Sequence, residues 1–186
     1  MRKIFNFMMM TADGYYEGPD QEFDWPNVDE EFNEFAVEQL GEVDTLLFGR
    51  RTYETMAAYW PTPEAEQTDP MVAGRMNSIA KLVVSRTLDK VEWANRRLIT
   101  GDVAGELTRF KQLPGRDIVI FGSSDLTVSL LKMGLIDELR IIVNPVILGA
   151  GKSVFRTADE RIGLEHLKTR TFKSGTVLIY YRPVAG

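Results

Sequence analysis

The sequence predicts an α/β sandwich with a largely parallel central sheet and an antiparallel final portion. Three observations carry that prediction. Apolar runs of strand length recur at KIFNFMMM, VDTLLFG, KLVVS, RRLIT, DIVIFG, ELRIIVNPVI and TVLIYY. Segments with helical spacing separate several of these runs as far as about residue 134, an alternation that builds parallel sheets. Beyond that point the chain reads as strands and turns, which suits antiparallel pairing.

The elements follow in chain order. MRKIFNFMMMT opens with two basic residues and an apolar run, as a secretory leader does. Asn6 interrupts the run, no A-x-A site follows and Asp13-Gly14 comes next, so a first buried strand is expected. In VDEEFNEFAVEQL, Phe32, Phe35, Ala36 and Leu40 share one helical face with acids on the other. VDTLLF stops at Gly49, and Arg50-Arg51-Thr52 opens a helix carrying Tyr53 and Met56. PTPEAEQTDP, residues 61–70, holds three prolines and is expected to be a surface loop, not a domain boundary. DVAGELTRFKQLPG places Val103, Leu107, Phe110 and Leu113 near one face, with Asp102 as N-cap and Pro114-Gly115 as the stop. SSDLTVSLLKMG forms a third helix, with Ser or Asp at its start and Gly134 at its end. At 186 residues the chain suits one domain spanning 1–186.

Composition removes several chemistries. The formal net charge of -5 sets the chain as a whole against nucleic acid and anionic membranes, so any bound anion must be held by a local cluster. With no cysteine there is no disulfide, thiol nucleophile or thiolate metal site. The single histidine, His166, cannot build a multi-histidine metal site, and no G-x-S-x-G turn supports a serine triad. No apolar stretch reaches the length of a membrane span, and a cytoplasmic location is expected.

Three strand ends carry residues suited to phosphate: Gly49-Arg50-Arg51-Thr52, Ser85-Arg86-Thr87 and Gly122-Ser123-Ser124-Asp125. Ligands of open α/β sheets bind beyond the carboxyl ends of the strands, where helix N-termini present free N–H groups. Taken singly, the first is also a turn with two solvated arginines and the third an N-cap signature; their shared position after strands points to a ligand with several phosphates. LGAGKS (148–153) ends like a nucleotide P-loop, but the first glycine of that motif falls at Val146, so a glycine turn is expected.

TADG (11–14), DTLLFGRRTYE (44–54), KLVVSRTL (81–88), IVIFGSSDLTVSLLKMGLIDELRIIVNPVILGAGKSVF (118–155) and GTVLIYY (175–181) together resemble the dihydrofolate-reductase-like superfamily. Within it, the chain is most similar to the branch containing the C-terminal reductase domain of the riboflavin-biosynthesis protein RibD. The resemblance spans nearly the whole chain. It implies a three-layer αβα sandwich with a mixed, mostly parallel central sheet, NADPH as hydride donor, and a homodimer. By position, Gly49, Arg50, Arg51 and Thr52 would hold the cofactor phosphates, and Ser85 and Arg86 would lie near the adenosine 2′-phosphate. Gly122, Ser123, Ser124 and Leu126 would receive the pyrophosphate and nicotinamide side, and Ala12 would touch the nicotinamide.

The implied activity is reduction of a small heterocyclic (pterin- or pyrimidine-like) or carbonyl substrate, of the 5-amino-6-(5-phosphoribosylamino)uracil reductase type. Hydride transfer needs no protein nucleophile, which suits a chain with no cysteine and one histidine. Two features depart from the family pattern. The paired glycines usual after the fifth strand are Gly122-Ser123 here, and serine lacks the freedom of glycine. The family's substrate carboxylate has no single counterpart: Trp25, Glu30 and Glu31 are the substrate-side candidates, with Asp29 beside them, and a solvated first helical turn is the stronger reading of these acids. No catalytic residue and no metal ligand is assigned. The alternative is a non-catalytic nucleotide-binding or structural dimer that keeps the fold.

Overall fold

The computed structural model describes residues 1–184. The chain runs β1 (Ile4–Thr11), β2 (Tyr15–Glu17), α1 (Glu30–Gly41), β3 (Val43–Gly49), α2 (Arg50–Tyr59), α3 (Pro63–Thr68), α4 (Pro70–Ser78) and β4 (Ala80–Val84). It continues through β5 (Arg96–Ile99), α5 (Val103–Gln112), β6 (Asp117–Phe121), α6 (Ser124–Lys132), β7 (Glu138–Asn144), β8 (Lys152–Ser153), β9 (Gly163–Thr171) and β10 (Val177–Val184). An eight-stranded sheet has the order β5-β4-β3-β6-β1-β7-β10-β9, and β2 pairs with β8 apart from it. The pairings from β5 to β7 are parallel, whereas β10 runs antiparallel to β7 and β9. The expected mixed, mostly parallel sheet is therefore present.

Helices cover both faces, which explains why the inner strands are apolar at nearly every position. On one face, Phe32 and Phe35 of α1, Tyr53 of α2 and Val72 and Met76 of α4 pack with Phe5, Phe7, Leu46, Phe48 and Val119. On the other, Leu107 of α5 and Leu130 of α6 pack with Ile4, Leu47, Leu82, Ile118 and Ile120. The result is the three-layer αβα sandwich. His166 lies on exposed β9, its Nε2 2.8 Å from the Thr169 hydroxyl, an ordinary strand position.

Three expectations need correction. Residues 61–70 are not a loop: they form α3 and the start of α4. Thr62 caps the Ala65 amide and Asp69 caps the Val72 amide, each followed by proline at the first helical position. Proline there forfeits only an N–H that has no helical partner, so these prolines start helices. The run ELRIIVNPVI stops being a strand at Asn144, because Pro145 has no amide to continue the ladder. GLEHLKTRT, too polar to stand out as an apolar run, is the edge strand β9, exposed along most of its length. Its charged residues suit an edge, where they discourage pairing with other chains.

Candidate functional site

β3 and β6 are neighbours, so the turns that follow them meet. The Gly49 amide donates to the Ser123 hydroxyl at 2.9 Å, and the Ser123 amide donates to the Thr52 hydroxyl at 3.2 Å. These two bonds join the start of α2 to the start of α6 across more than 70 residues of sequence. The turns touch without crowding: a Cβ on Gly49 would make ordinary van der Waals contact with the Ser123 hydroxyl at 3.5 Å, and one on Gly122 with Thr52 at 3.7 Å.

Gly122 and Ser123 take consecutive left-handed conformations, φ +55° and +51°. Serine therefore does adopt what glycine does more easily, at a cost of about 1–2 kcal/mol. Its own two hydrogen bonds hold it there. Asn6, fully buried on β1, adds a third support: its Nδ2 lies 3.1 Å from the Gly122 carbonyl and 3.0 Å from the Thr127 hydroxyl. Because the Ser123 side chain serves Gly49, it does not cap α6, and Gly49 has no side chain to cap α2. Two helix N-termini thus reach the same sheet edge without side-chain caps, an arrangement that attracts anions.

The two arginines of Gly-Arg-Arg-Thr part company. Arg51 donates to the Gln21 side-chain amide oxygen at 2.9 Å and lies 3.5 Å from Glu17. Arg50 is half-exposed and, among the described residues, has only a long 3.9 Å contact with Glu54 of its own helix. Arg86 is exposed and makes no hydrogen bond or ion pair among the described residues. Ser85 is buried, and its hydroxyl accepts the Thr87 and Leu88 amides at 3.2 and 3.0 Å, so it shapes the turn that presents Arg86. Ser124 is also buried, its hydroxyl donating to the Val154 carbonyl. Leu126 is half-buried against the α5/α6 core, and exposed Ala12 donates its amide to the Val146 carbonyl at 2.9 Å.

One part of this edge escaped the sequence reading. The Ser85 amide donates to the Ile99 carbonyl, which places the end of β5 beside the Ser85-Arg86 turn. There, Arg97, Thr100, Gly101, Asp102 and Glu106 line a cavity of about 300 Å³. RRLITGD carried the same signal as the other three ends, a strand followed by glycine and a helix cap.

On the α1 face, Trp25 is half-buried. The Asp29 carboxylate caps the Phe32 amide at 2.9 Å. Glu31 accepts the Lys173 amide at 2.8 Å and lies 3.8 Å from Arg170, while Glu30 is exposed and without a partner among the described residues. The acids before and within α1 thus serve the helix, the turn at Lys173 and solvent.

The LGAGKS turn presents its amides to a carboxylate of the chain itself. The Leu148 and Gly149 amides donate to Asp13 at 3.3 and 2.8 Å, and the Thr11 hydroxyl donates to it at 2.6 Å. The Thr11 hydrogen bond, helped by those from Gly149 and Leu148, holds the Asp13 carboxyl below the usual carboxylate range. A strand, β8, follows this turn where a P-loop would open a helix. Asp13→Ala should speed hydrogen exchange at the Leu148 and Gly149 amides by about tenfold, the size expected for loss of a charge-assisted bond. Unchanged exchange, read by NMR, would show that Asp13 does not hold the turn.

The fold is that of a reductase-type, dihydrofolate-reductase-like sandwich. Its backbone is similar to Enterococcus faecalis dihydrofolate reductase complexed with NADP(H), with a TM-score of 0.63 at 16% identity over 97% of this chain and 96% of that one. It is similar also to the Thermotoga maritima diaminohydroxyphosphoribosylaminopyrimidine deaminase/5-amino-6-(5-phosphoribosylamino)uracil reductase, with a TM-score of 0.67 at 13% identity. That match covers 98% of this chain and 57% of the larger protein. The chain belongs to the RibD C-terminal domain family, which matches residues 2–178. Among relatives by sequence, YyaP of Bacillus subtilis (strain 168), an uncharacterized protein, is 34% identical over 97% of this chain and 94% of its own length. YwjB of the same organism, also uncharacterized, is 27% identical over 97% of this chain and 98% of its own length.

Proposed function

We propose that the protein is an NADPH-dependent reductase of a small heterocyclic (pterin- or pyrimidine-like) or carbonyl substrate. The observation that carries this reading is the pair of joined turns, Gly49–Thr52 and Gly122–Ser124, whose helix N-termini lack side-chain caps. Two further features fit a dinucleotide phosphate. Arg50 has only a weak partner among the described residues, and Arg86 stands exposed on the turn that Ser85 ties to Ile99, a residue lining the cavity at the end of β5. On this reading the α2 and α6 N-termini hold the pyrophosphate, and Arg50 and Arg86 neutralise phosphate charge. NADPH supplies the hydride when bound. The chain's residues position it against the substrate, and Thr52, Ser123 and Asn6 keep the turn rigid enough to do so.

Titration with NADPH, followed by quenching of tryptophan fluorescence, tests the first half of the reading. Saturable binding that is much tighter for NADPH than for NADH is expected; absence of binding overturns it. Loss of NADPH absorbance against a panel of pterins, pyrimidine diones and reactive carbonyls tests the second half. A non-catalytic, nucleotide-binding role is favoured by a specific observation: Asp29 and Glu31, the acids beside α1, are committed to structural hydrogen bonds. Tight NADPH binding without turnover on any member of the panel supports that second reading. A homodimer belongs to the same proposal, and the mass in solution by light scattering checks it.

A further inference from the structure

Resting on that reductase reading, we infer that Trp25 and Asn144 select the substrate by donating hydrogen bonds, so that the bound edge presents acceptors such as carbonyl oxygens. Asn144 ends β7 in register with Thr11, the end of β1, at the carboxyl edge where ligands of parallel sheets bind. It is 1% exposed. Its Oδ1 accepts the Asn27 amide at 2.9 Å, which fixes the orientation of the side-chain amide, since the flipped form would set donor against donor. The Nδ2 that remains is buried and has no partner among the described residues, and the same holds for the Trp25 Nε1, on the segment that Asn27 ties to Asn144.

Both bare groups are donors only. Several carboxylates of the N-terminal segments already have partners: Asp13 has Thr11 and the 148–149 turn, Glu17 has Lys152 and Arg51, Asp29 has Phe32 and Glu31 has Lys173, while Asp24, next to Trp25 in the chain, is exposed to solvent. An isolated buried donor is unfavourable until it meets an acceptor. Residues 18–27, which carry Trp25 and Asn27, contain no helix or strand and leave Phe23 55% exposed, and on this inference they shift to admit a ligand edge. A carbonyl-bearing edge satisfies these donors. A diamino edge sets amino donors where the dione sets its oxygens, and offers only ring nitrogens as acceptors.

A matched pair of pteridines separates these cases: pteridine-2,4-dione (lumazine) and 2,4-diaminopteridine, titrated calorimetrically into protein saturated with NADPH. The wild type is expected to bind the dione at least tenfold more tightly. Asn144→Asp keeps the acceptor for the Asn27 amide, removes the donor and should shift the preference at least tenfold toward the diamino compound. Trp25→Phe keeps the ring, removes the N–H and should weaken only the dione. It stands in for Asn144→Asp if a buried carboxylate prevents folding. Preference of the wild type for the diamino compound, binding of neither compound, or a preference unchanged in both variants overturns the inference. The last result means that ordered water satisfies the two donors. Failure of the wild type to bind NADPH at all is a different result, since it removes the reductase reading on which the inference rests.

Discussion

Arg86→Ala is expected to weaken NADPH binding by one to two decades and to leave NADH binding nearly unchanged. A hydrogen bond to a charged group contributes about 1.5–3 kcal/mol, and each 1.4 kcal/mol is a factor of ten. Arg86 can deliver that amount because it has no competing carboxylate among the described residues, and because Ser85 fixes the turn beneath it. The adenosine 2′-phosphate is absent from NADH, so the ratio of the two affinities isolates the contact from general loss of binding. Arg50→Ala should weaken both cofactors together, since its place at the start of α2 suits phosphate common to both. Arg51→Ala should do less to either, because Arg51 is already held by Gln21 and Glu17. Fluorescence titration of the three variants with both cofactors checks this order. An Arg86→Ala protein that retains the full preference for NADPH would place the 2′-phosphate elsewhere.

The second large effect concerns stability. Lys81 on β4 is 1% exposed, and its Nζ donates to the Asn77 and Ile79 carbonyls, both at 2.8 Å, and lies 4.4 Å from the centre of the Trp93 ring. No carboxylate pairs with it among the described residues. Burial pushes its pKa down from 10.5 to about 8. Between those values the unfolded chain binds the proton and the folded chain does not, so stability rises with pH across that window. The charged form is a burden below pH 8 that is relieved as pH climbs; at 1.36 kcal/mol per unit the whole span is roughly 3 kcal/mol. A neutral amine still has N–H groups for both carbonyls, so deprotonation leaves the hydrogen bonds in place. Burial acts oppositely on Tyr180, whose raised pKa lets the unfolded chain ionise first, which lowers stability above about pH 10. Urea denaturation at pH 7.5, 8.5 and 9.5 should therefore show a rising midpoint in the wild type and a flat one in Lys81→Met. A flat wild-type profile would mean that Lys81 titrates as a solvated lysine.

The two prolines that open α3 and α4 show where local reading fails. Their density suggested a loop, yet Thr62-Pro63 and Asp69-Pro70 are each a cap followed by a residue suited to the first helical position. The information was local and was misread. β9 differs, because a strand on an exposed edge needs no apolar periodicity to be held by β10, and little in its own residues marks it. Arg50 and Arg51 differ again. As neighbours they look equivalent, and only the fold brings Gln21 and Glu17 to one of them.

By itself the sequence determined the alternation of strand and helix, the two-sided burial of the inner strands and the strand ends where glycine, hydroxyl and arginine gather. Periodicity and cap chemistry act within a few residues, so they can be read there. Tertiary structure decided which hydroxyl holds which amide, which arginine Gln21 and Glu17 engage, and which buried donors lack partners among the described residues. Those outcomes depend on groups far apart in the chain, as Gly49 and Ser123 are, and they follow from sheet order and close packing.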